Sequence, residues 1–594
     1  MKGIDTMNQW NLSVFYPNFD EWAKDVELFE SKIAQFAQYK GKLNTFEGFR
    51  DYLLLEEDII HVLYKVYAYA HLAADLNLKD NELGSKYQTV LLKLAKMNQA
   101  TSFFSPEVIS VGKETIMSFL TRDERLQPYK FVMEKLFFQQ KHVLSDENER
   151  ILALHQPIGS VPSAMYNALA VGDRTDEQVT LSNGEQVKVT TSNYRSILPN
   201  LKEASDRKLV FEAVFKRYKD NKNAFANLYN LVLQNLAASY KSRGYNSALE
   251  SRLDGNNIPL SVFHNLKDVA YQNVGPIKRY IKLRQKYLGL DTYHTYDRFL
   301  KLANSDKKYN YEEARSMFFE SIKDLAPEFV KNEKAALDEG YVDVLPKDGK
   351  RTGAYSSGFY GWHPFILLNH DETLDSVFTL AHEAGHSAHT IFSNEAQPMA
   401  VADYTIFVAE IASTFNEHVL SDYLFKKATS KAEKIVILEN AIDGIMATFF
   451  RQTLFATYEY EANKLVEAGT PITEASLSKI MVDLYKHYYD IDIREEDGKQ
   501  YVWAYIPHLF HTPFYVYQYA TSYSASLKVY DNVKKGVPNA MENYMAMLKA
   551  GGSDYPVNIA KIAGADLTDK STFEAVISRF VDLIDRLEDV LKSE

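Results

Sequence analysis

Cysteine is absent from the 594 residues of the chain. That excludes disulfides and thiolate metal sites, so any bound metal must be held by His, Asp or Glu. Proline is sparse, at 17 residues. It falls mainly at segment edges, as at Pro17, Pro106, Pro259, Pro327 and Pro471, where it punctuates helices instead of breaking them. No run of about 18 apolar residues occurs, so no membrane-spanning helix is expected, and the N-terminal residues hold no apolar stretch of signal-peptide length. Positive charge is in deficit, with 67 Lys and Arg against 79 Asp and Glu and a net charge of -12. A nucleic-acid partner would need a concentrated basic footprint instead. These absences together predict a cytoplasmic chain with neither nucleic acid nor membrane as a partner.

What is present points to globular helical lobes. Hydrophobic residues make up 46% and charged residues 25%, a balance that disfavours large-scale disorder, and the length suits two to four lobes. Apolar residues recur at three- and four-residue spacing over 211–239 and 432–466, which predicts a mainly α fold. Two places read as strand. Val179-Thr180-Leu181 and Val187-Lys188-Val189 flank Asn183-Gly184, a hairpin signal over 179–189. The stretch 351–369 is rich in Gly and aromatics and ends in Phe365-Ile366-Leu367-Leu368. A boundary is expected near residue 200, dividing an N-terminal helical lobe (1–200) that ends in the hairpin from a catalytic domain (201–594).

The chemistry is carried by His382-Glu383-Ala384-Gly385-His386. Residues four apart on a helix lie about 40° apart around the axis and roughly 6 Å along it, so both imidazoles can close on one Zn²⁺. Glu383 stands beside the first ligand, placed to act as a general base without ligating. Gly385, without a side chain, would let another segment approach closely. The third ligand has two candidates. His389 shares the helical face, but it lies some 7.5 Å beyond the level of the metal at 1.5 Å per residue, which suits packing or support of a ligand better than ligation. Glu410, in 407–420 (FVAEIASTFNEHVL), is 24 residues past His386. That gap suffices for a loop and a returning helix. Glu417, two turns further on, is placed to orient a ligating histidine by hydrogen bonding.

At these residues the sequence resembles the thimet oligopeptidase family of zinc metallopeptidases, most closely its oligoendopeptidase F branch. The likeness also takes in Trp10-Asn11-Leu12-Ser13, Ser247-Ala248-Leu249-Glu250 with Asn257-Ile258-Pro259, Leu283-Arg284 with Leu288-Gly289, Gly353-Ala354-Tyr355, the run 364–369 and 548–553. It implies one Zn²⁺ per chain on His382, His386 and Glu410, with Glu383 as base. It also implies a mainly α, two-lobed, zincin-like fold with a deep central channel and a small β element beside the active site, acting on short unfolded peptides cut internally. Relatives often carry Tyr and then Gly in the turn before the metal helix; here stand His370 and Glu372. A turn with positive φ would strain Glu372.

Residues 501–527 contain no Asp, Glu, Lys or Arg. The plain reading of their tyrosines is a buried helical core. The resemblance implies that a His and a Tyr from such a segment stabilise the oxyanion, a role for which His508 and Tyr519 are chosen here, with Tyr515 and then Tyr517 as substrate contacts. The Gly-rich strand at Tyr355 and Gly358 is expected to pair with the substrate backbone. His363 and His370 read as structural, and Gly551-Gly552 as a loop or a turn. Two rival functions stay open: an exopeptidase of related fold, and a non-enzymatic peptide-binding protein stabilised by zinc.

Overall fold

The apolar spacing over 211–239 does form helix, but as two, Ala204–Asp220 and Lys222–Ser242. The chain leaves helical geometry at Asn221 (φ -109°, ψ 20°). Its side-chain amide donates to the Arg217 carbonyl at 3.0 Å, the local competition with the helix ladder that Asn brings. Likewise 432–466 becomes Lys431–Ile445, a π turn at Met446–Phe450, and Arg451–Glu467. The computed structural model describes residues 8–593, and its architecture is mainly α with two small sheets.

The first sheet is the expected hairpin, β1 (Glu177–Thr180) antiparallel to β2 (Gln186–Val189), with Gly184 at φ +85° in the turn. The second has the order β3-β5-β4, from β3 (Val342–Asp343), β4 (Tyr355–Phe359) and β5 (Trp362–Leu367). The single strand region read at 351–369 is therefore a hairpin. Gly361, at φ +82°, makes the turn, a backbone conformation that glycine adopts freely. β5 pairs on both sides, and Phe365, Ile366 and Leu367 are fully buried.

Two compact units are each assembled from separate stretches of chain. The first comprises residues up to 141, 307–424 and 529–565; the second comprises 142–306, 425–528 and the residues from 566 on. The boundary expected near residue 200 falls inside one of the second unit's stretches. In the first unit, the three-stranded sheet is gripped on one side by Trp10 and Phe15. The Trp10 indole donates to the Ile366 carbonyl at 2.8 Å, and Phe15 packs on Phe359 and Phe365. Helix α1 (Leu374–Ala396) also packs on the sheet, where Ser356 and Ser387 share a hydrogen bond of 2.8 Å. Helix α2 (Ile406–Lys427) packs on α1 in turn. In the second unit, Lys222–Ser242, Arg451–Glu467 and Glu474–Tyr489 pack together around the buried Trp503. No described helix is long and apolar enough to cross a membrane.

Candidate metal centre

Helix α1 starts where Thr373 caps it by accepting the Ser376 amide. The preceding residue, Glu372, sits at φ +63°, the left-handed region that disfavours any residue with a Cβ. From this start the helix carries His382 and His386 one turn apart, and Glu410 arrives from α2. The Nε2 atoms of the two histidines are 3.2 Å apart. Glu410 Oε2 lies 3.3 Å from one and 3.5 Å from the other. A tetrahedral metal with bonds near 2.0–2.1 Å holds neighbouring ligand atoms about 3.3–3.4 Å apart. The observed triangle thus has the size of one tetrahedral face. These three residues form the group of metal-competent donors found among the described residues, the ligand count of catalytic zinc sites, which keep a position open.

The surroundings orient that triangle. Glu417 Oε1 accepts from His382 Nδ1 at 2.6 Å, which leaves the Nε2 lone pair pointing at the metal position. Burial opposes charging of His382, yet Glu410 and Glu417 hold its pKa well above the ordinary range. Burial likewise opposes ionisation of Glu410, but the two imidazoles draw its carboxyl far below the usual range. One carboxylate and two ring nitrogens so arranged call for positive charge between them.

Glu383 differs. It is buried, its Oε2 has no hydrogen-bond partner among the described residues, and burial pushes its pKa up. Gly385 lies against the neighbouring helix so closely that a Cβ would stand 2.7 Å from the Ala412 carbonyl oxygen and from Ser413 Cα. His389 is fully buried and stacks on Tyr404 at 3.6 Å. Neither of its ring nitrogens has a partner among the described residues, and burial pushes its pKa down to about 3. It is a neutral packing residue outside the donor triangle.

Two contributors escaped the sequence reading. Tyr404 donates to the His386 carbonyl at 3.3 Å and shares a 2.9 Å hydrogen bond with Thr390. Asn416 donates to the Ala381 carbonyl at 3.1 Å and to Glu333 at 3.0 Å, tying the two helices together. A polar Asn within an apolar helix was the signal for the second; Tyr404 offered none.

The expected substrate strand β4 is an edge with no further strand beside it among the described residues. The Tyr355 hydroxyl is taken by Asp75 at 2.7 Å. A Cβ on Gly358 would stand 2.4 Å from Thr390 Cγ2, so this glycine seats the strand on α1. His363 and His370 spend their Nε2 atoms on the backbone carbonyls of Ala335 and Tyr309. Gly551 and Gly552 form a packed turn against 401–403, where added Cβ atoms would collide with backbone oxygens.

The second unit gathers His508, Tyr515 and Tyr519. His508 stacks on Tyr515 at 5.8 Å, and Tyr519 meets both edge-on, at 6.2 and 5.4 Å. Tyr517 is not part of this cluster. It is 2% exposed and packs edge-on against Phe263, because the helix Tyr517–Lys534 turns that position into the core.

A model of peptidase family M3 matches residues 198–578, and one described as oligopeptidase F matches 107–175. Oligopeptidase PepF of Bacillus subtilis is 32% identical over the whole chain and 88% of its own length. A solved chain from Chlamydophila abortus superposes with a TM-score of 0.89 at 33% identity, covering 99% of both chains. The oligoendopeptidase F structure from Enterococcus faecium does so with a TM-score of 0.76 at 28% identity, over 97% of this chain and 99% of its own. With the metal triangle, the unpartnered glutamate and full-length relatives in agreement, this chain belongs to peptidase family M3, in its oligoendopeptidase F branch.

Proposed function

We propose that His382, His386 and Glu410 hold one zinc ion per chain and that Glu383 is the general base with which this metalloendopeptidase cuts internal bonds of short, unfolded peptides. The observation that carries the reading is the donor triangle of 3.2, 3.3 and 3.5 Å with the unpartnered Glu383 Oε2 on the adjacent residue. Zinc bound there supplies Lewis acidity, polarising the scissile carbonyl and acidifying water. Glu383 Oε2 accepts the proton of the attacking water and passes a proton to the leaving amine. An oxygen with no competing donor, in a buried site that raises its proton affinity, is suited to both transfers. Glu417 keeps His382 in the tautomer that leaves Nε2 free to ligate. The β4 backbone offers an edge for an extended peptide, so that main-chain hydrogen bonds set register without reading side chains. His508 and Tyr519 are assigned as donors to the oxyanion, with Tyr515 beside them, because an imidazole and a phenol supply the hydrogen bonds that negative charge on the carbonyl oxygen needs. We place this work in the cytoplasm, since a chain without cysteine loses nothing under reducing conditions.

The test combines metal analysis with cleavage of an internally quenched peptide blocked at both ends. Zinc near one equivalent and chelator-sensitive cleavage are expected. Glu383→Gln should keep the metal while losing roughly 10²- to 10⁴-fold in kcat. Near-normal turnover by zinc-loaded E383Q would rule out the base assignment.

A further inference from the structure

A cavity of about 270 Å³ lies within the second unit, and its wall gathers positive charge in a chain whose net charge is -12. Five cationic side chains line it: Arg195, Arg284, Arg298, Arg451 and Lys499. Arg284 is satisfied by Glu439 at 2.6 Å and by the carbonyls of Asp297, Arg298 and Leu300. The other four have no carboxylate within 4.0 Å among the described residues. Arg195 reaches only the phenols of Tyr194 and Tyr505, at 3.3 and 3.4 Å. Arg451 Nε is buried without a hydrogen-bond partner among the described residues. Lys499 is 6% exposed and rests over the rings of Phe211, Phe215 and Tyr485. The only acidic residue of the lining is Asp443, which accepts from the Tyr280 hydroxyl at 3.1 Å.

A buried cation without a counter-ion is costly. Lys499 is such a group and Arg451 is half-buried, while Arg195 and Arg298 are exposed; four cations without a carboxylate partner around one cavity set up a positive potential that favours an anion. Burial, and after it Arg298, push the pKa of both Lys499 and Arg451 down, with Glu496 opposing the shift at Lys499. The donors also suit one kind of anion. Guanidinium forks pair with tetrahedral oxyanions through parallel hydrogen bonds, and Tyr485 and Tyr489 border the same space. A phosphate ester carries about -1.5 to -2 charge near neutrality, which offsets much of the excess that a single chloride would leave. Ile281, Phe299 and Met446 complete the wall and would cover an organic body.

We propose that this cavity is a binding site for a small phosphorylated molecule, separate from the residues that hold the metal, with Arg195, Arg298, Arg451 and Lys499 as its anion-binding groups. The test is a thermal-shift titration of the full chain with inorganic phosphate, pyrophosphate and citrate, each against chloride at matched ionic strength. Pyrophosphate is expected to give a saturable rise in Tm, and phosphate a weaker one. Arg451→Gln and Arg298→Gln should each weaken pyrophosphate binding by about tenfold or more, the loss of one charged hydrogen-bonding partner. Because R451Q removes a half-buried charge whose Nε lacks a partner among the described residues, its ligand-free Tm should rise or hold. A fall in that Tm would mean the protein already balances the charge, and would overturn the proposal. So would a response to citrate alone, no saturable response to either phosphate salt, or a pyrophosphate response that both variants retain.

Discussion

At the scale of single residues, the site depends as much on an absent side chain as on those present. Gly385 lies inside a helix, where glycine costs about 1 kcal/mol relative to alanine. On propensity alone Gly385→Ala would therefore stabilise α1. The structure reverses that sign, since the new methyl would stand 2.7 Å from backbone atoms of Ala412 and Ser413, and backbone cannot rotate away as a side chain can. Glu410 and Glu417 lie on the same helix as that contact, so pushing the helices apart enlarges the triangle of donors. Gly385→Ala is expected to lose about 1–3 kcal/mol of stability and to weaken zinc binding, measured by thermal unfolding and by competition with a chromogenic chelator. A variant with wild-type zinc affinity would show that the helix spacing does not set the ligand distances. The close approach was legible in the sequence, since only Gly in that helix could allow it; its partner residues were not.

At the scale of elements, the segment 501–527 shows where periodicity misleads. Its apolar and aromatic content reads as one buried helix, but it holds the short helices Val502–Tyr505 and His508–His511 before Tyr517–Lys534 begins. Between them Tyr515 donates back to the Thr512 carbonyl at 3.1 Å across Pro513 and Phe514. Phe514 has φ +59°, so a phenylalanine fills the position of a type II turn that favours glycine. The amide of Phe514 donates to Glu459 Oε1 at 2.7 Å. In the commoner type I turn that peptide would face the other way, so Glu459 selects the strained form. The next residue is Tyr515, stacked on His508. Glu459→Ala is expected to lower kcat through loss of this turn, whereas Glu459→Gln keeps an acceptor and most of the activity. Phe514→Gly in the Glu459→Ala background should restore part of kcat, because glycine adopts positive φ freely. If the second substitution restores nothing, the turn is not how Glu459 acts. The helix that carries His382 and His386, by contrast, was legible as an element because the two histidines are local to one turn. A contact between residues 459 and 514 leaves no periodic trace in sequence.

At the scale of the whole molecule, the interleaved course of the chain was hidden for the same reason: compactness follows from contacts between distant stretches, while composition changes little along the chain. The mainly helical class, the hairpin and the His-His-Glu donor set needed only local pattern or family likeness. Each compact unit also carries a buried carboxyl group far from its ordinary behaviour: Glu333 in the first and Glu459 in the second, both pushed up to about 8 by burial. Asn416 and the Phe514 amide, by donating to them, oppose that rise. Between the ordinary glutamate pKa and about 8, the folded chain binds more protons at these positions than the unfolded chain, so stability falls as pH rises through that window. Each pKa unit corresponds to about 1.4 kcal/mol, so either residue alone removes on the order of 3 kcal/mol between pH 5.5 and 8. Glutamine cannot ionise. Glu333→Gln and Glu459→Gln should therefore flatten the decline in calorimetric Tm across that range, each with little effect at its acid end, and together flatten it more than either alone. Parallel Tm profiles for the variants and the parent would show that neither carboxyl takes up its proton on folding.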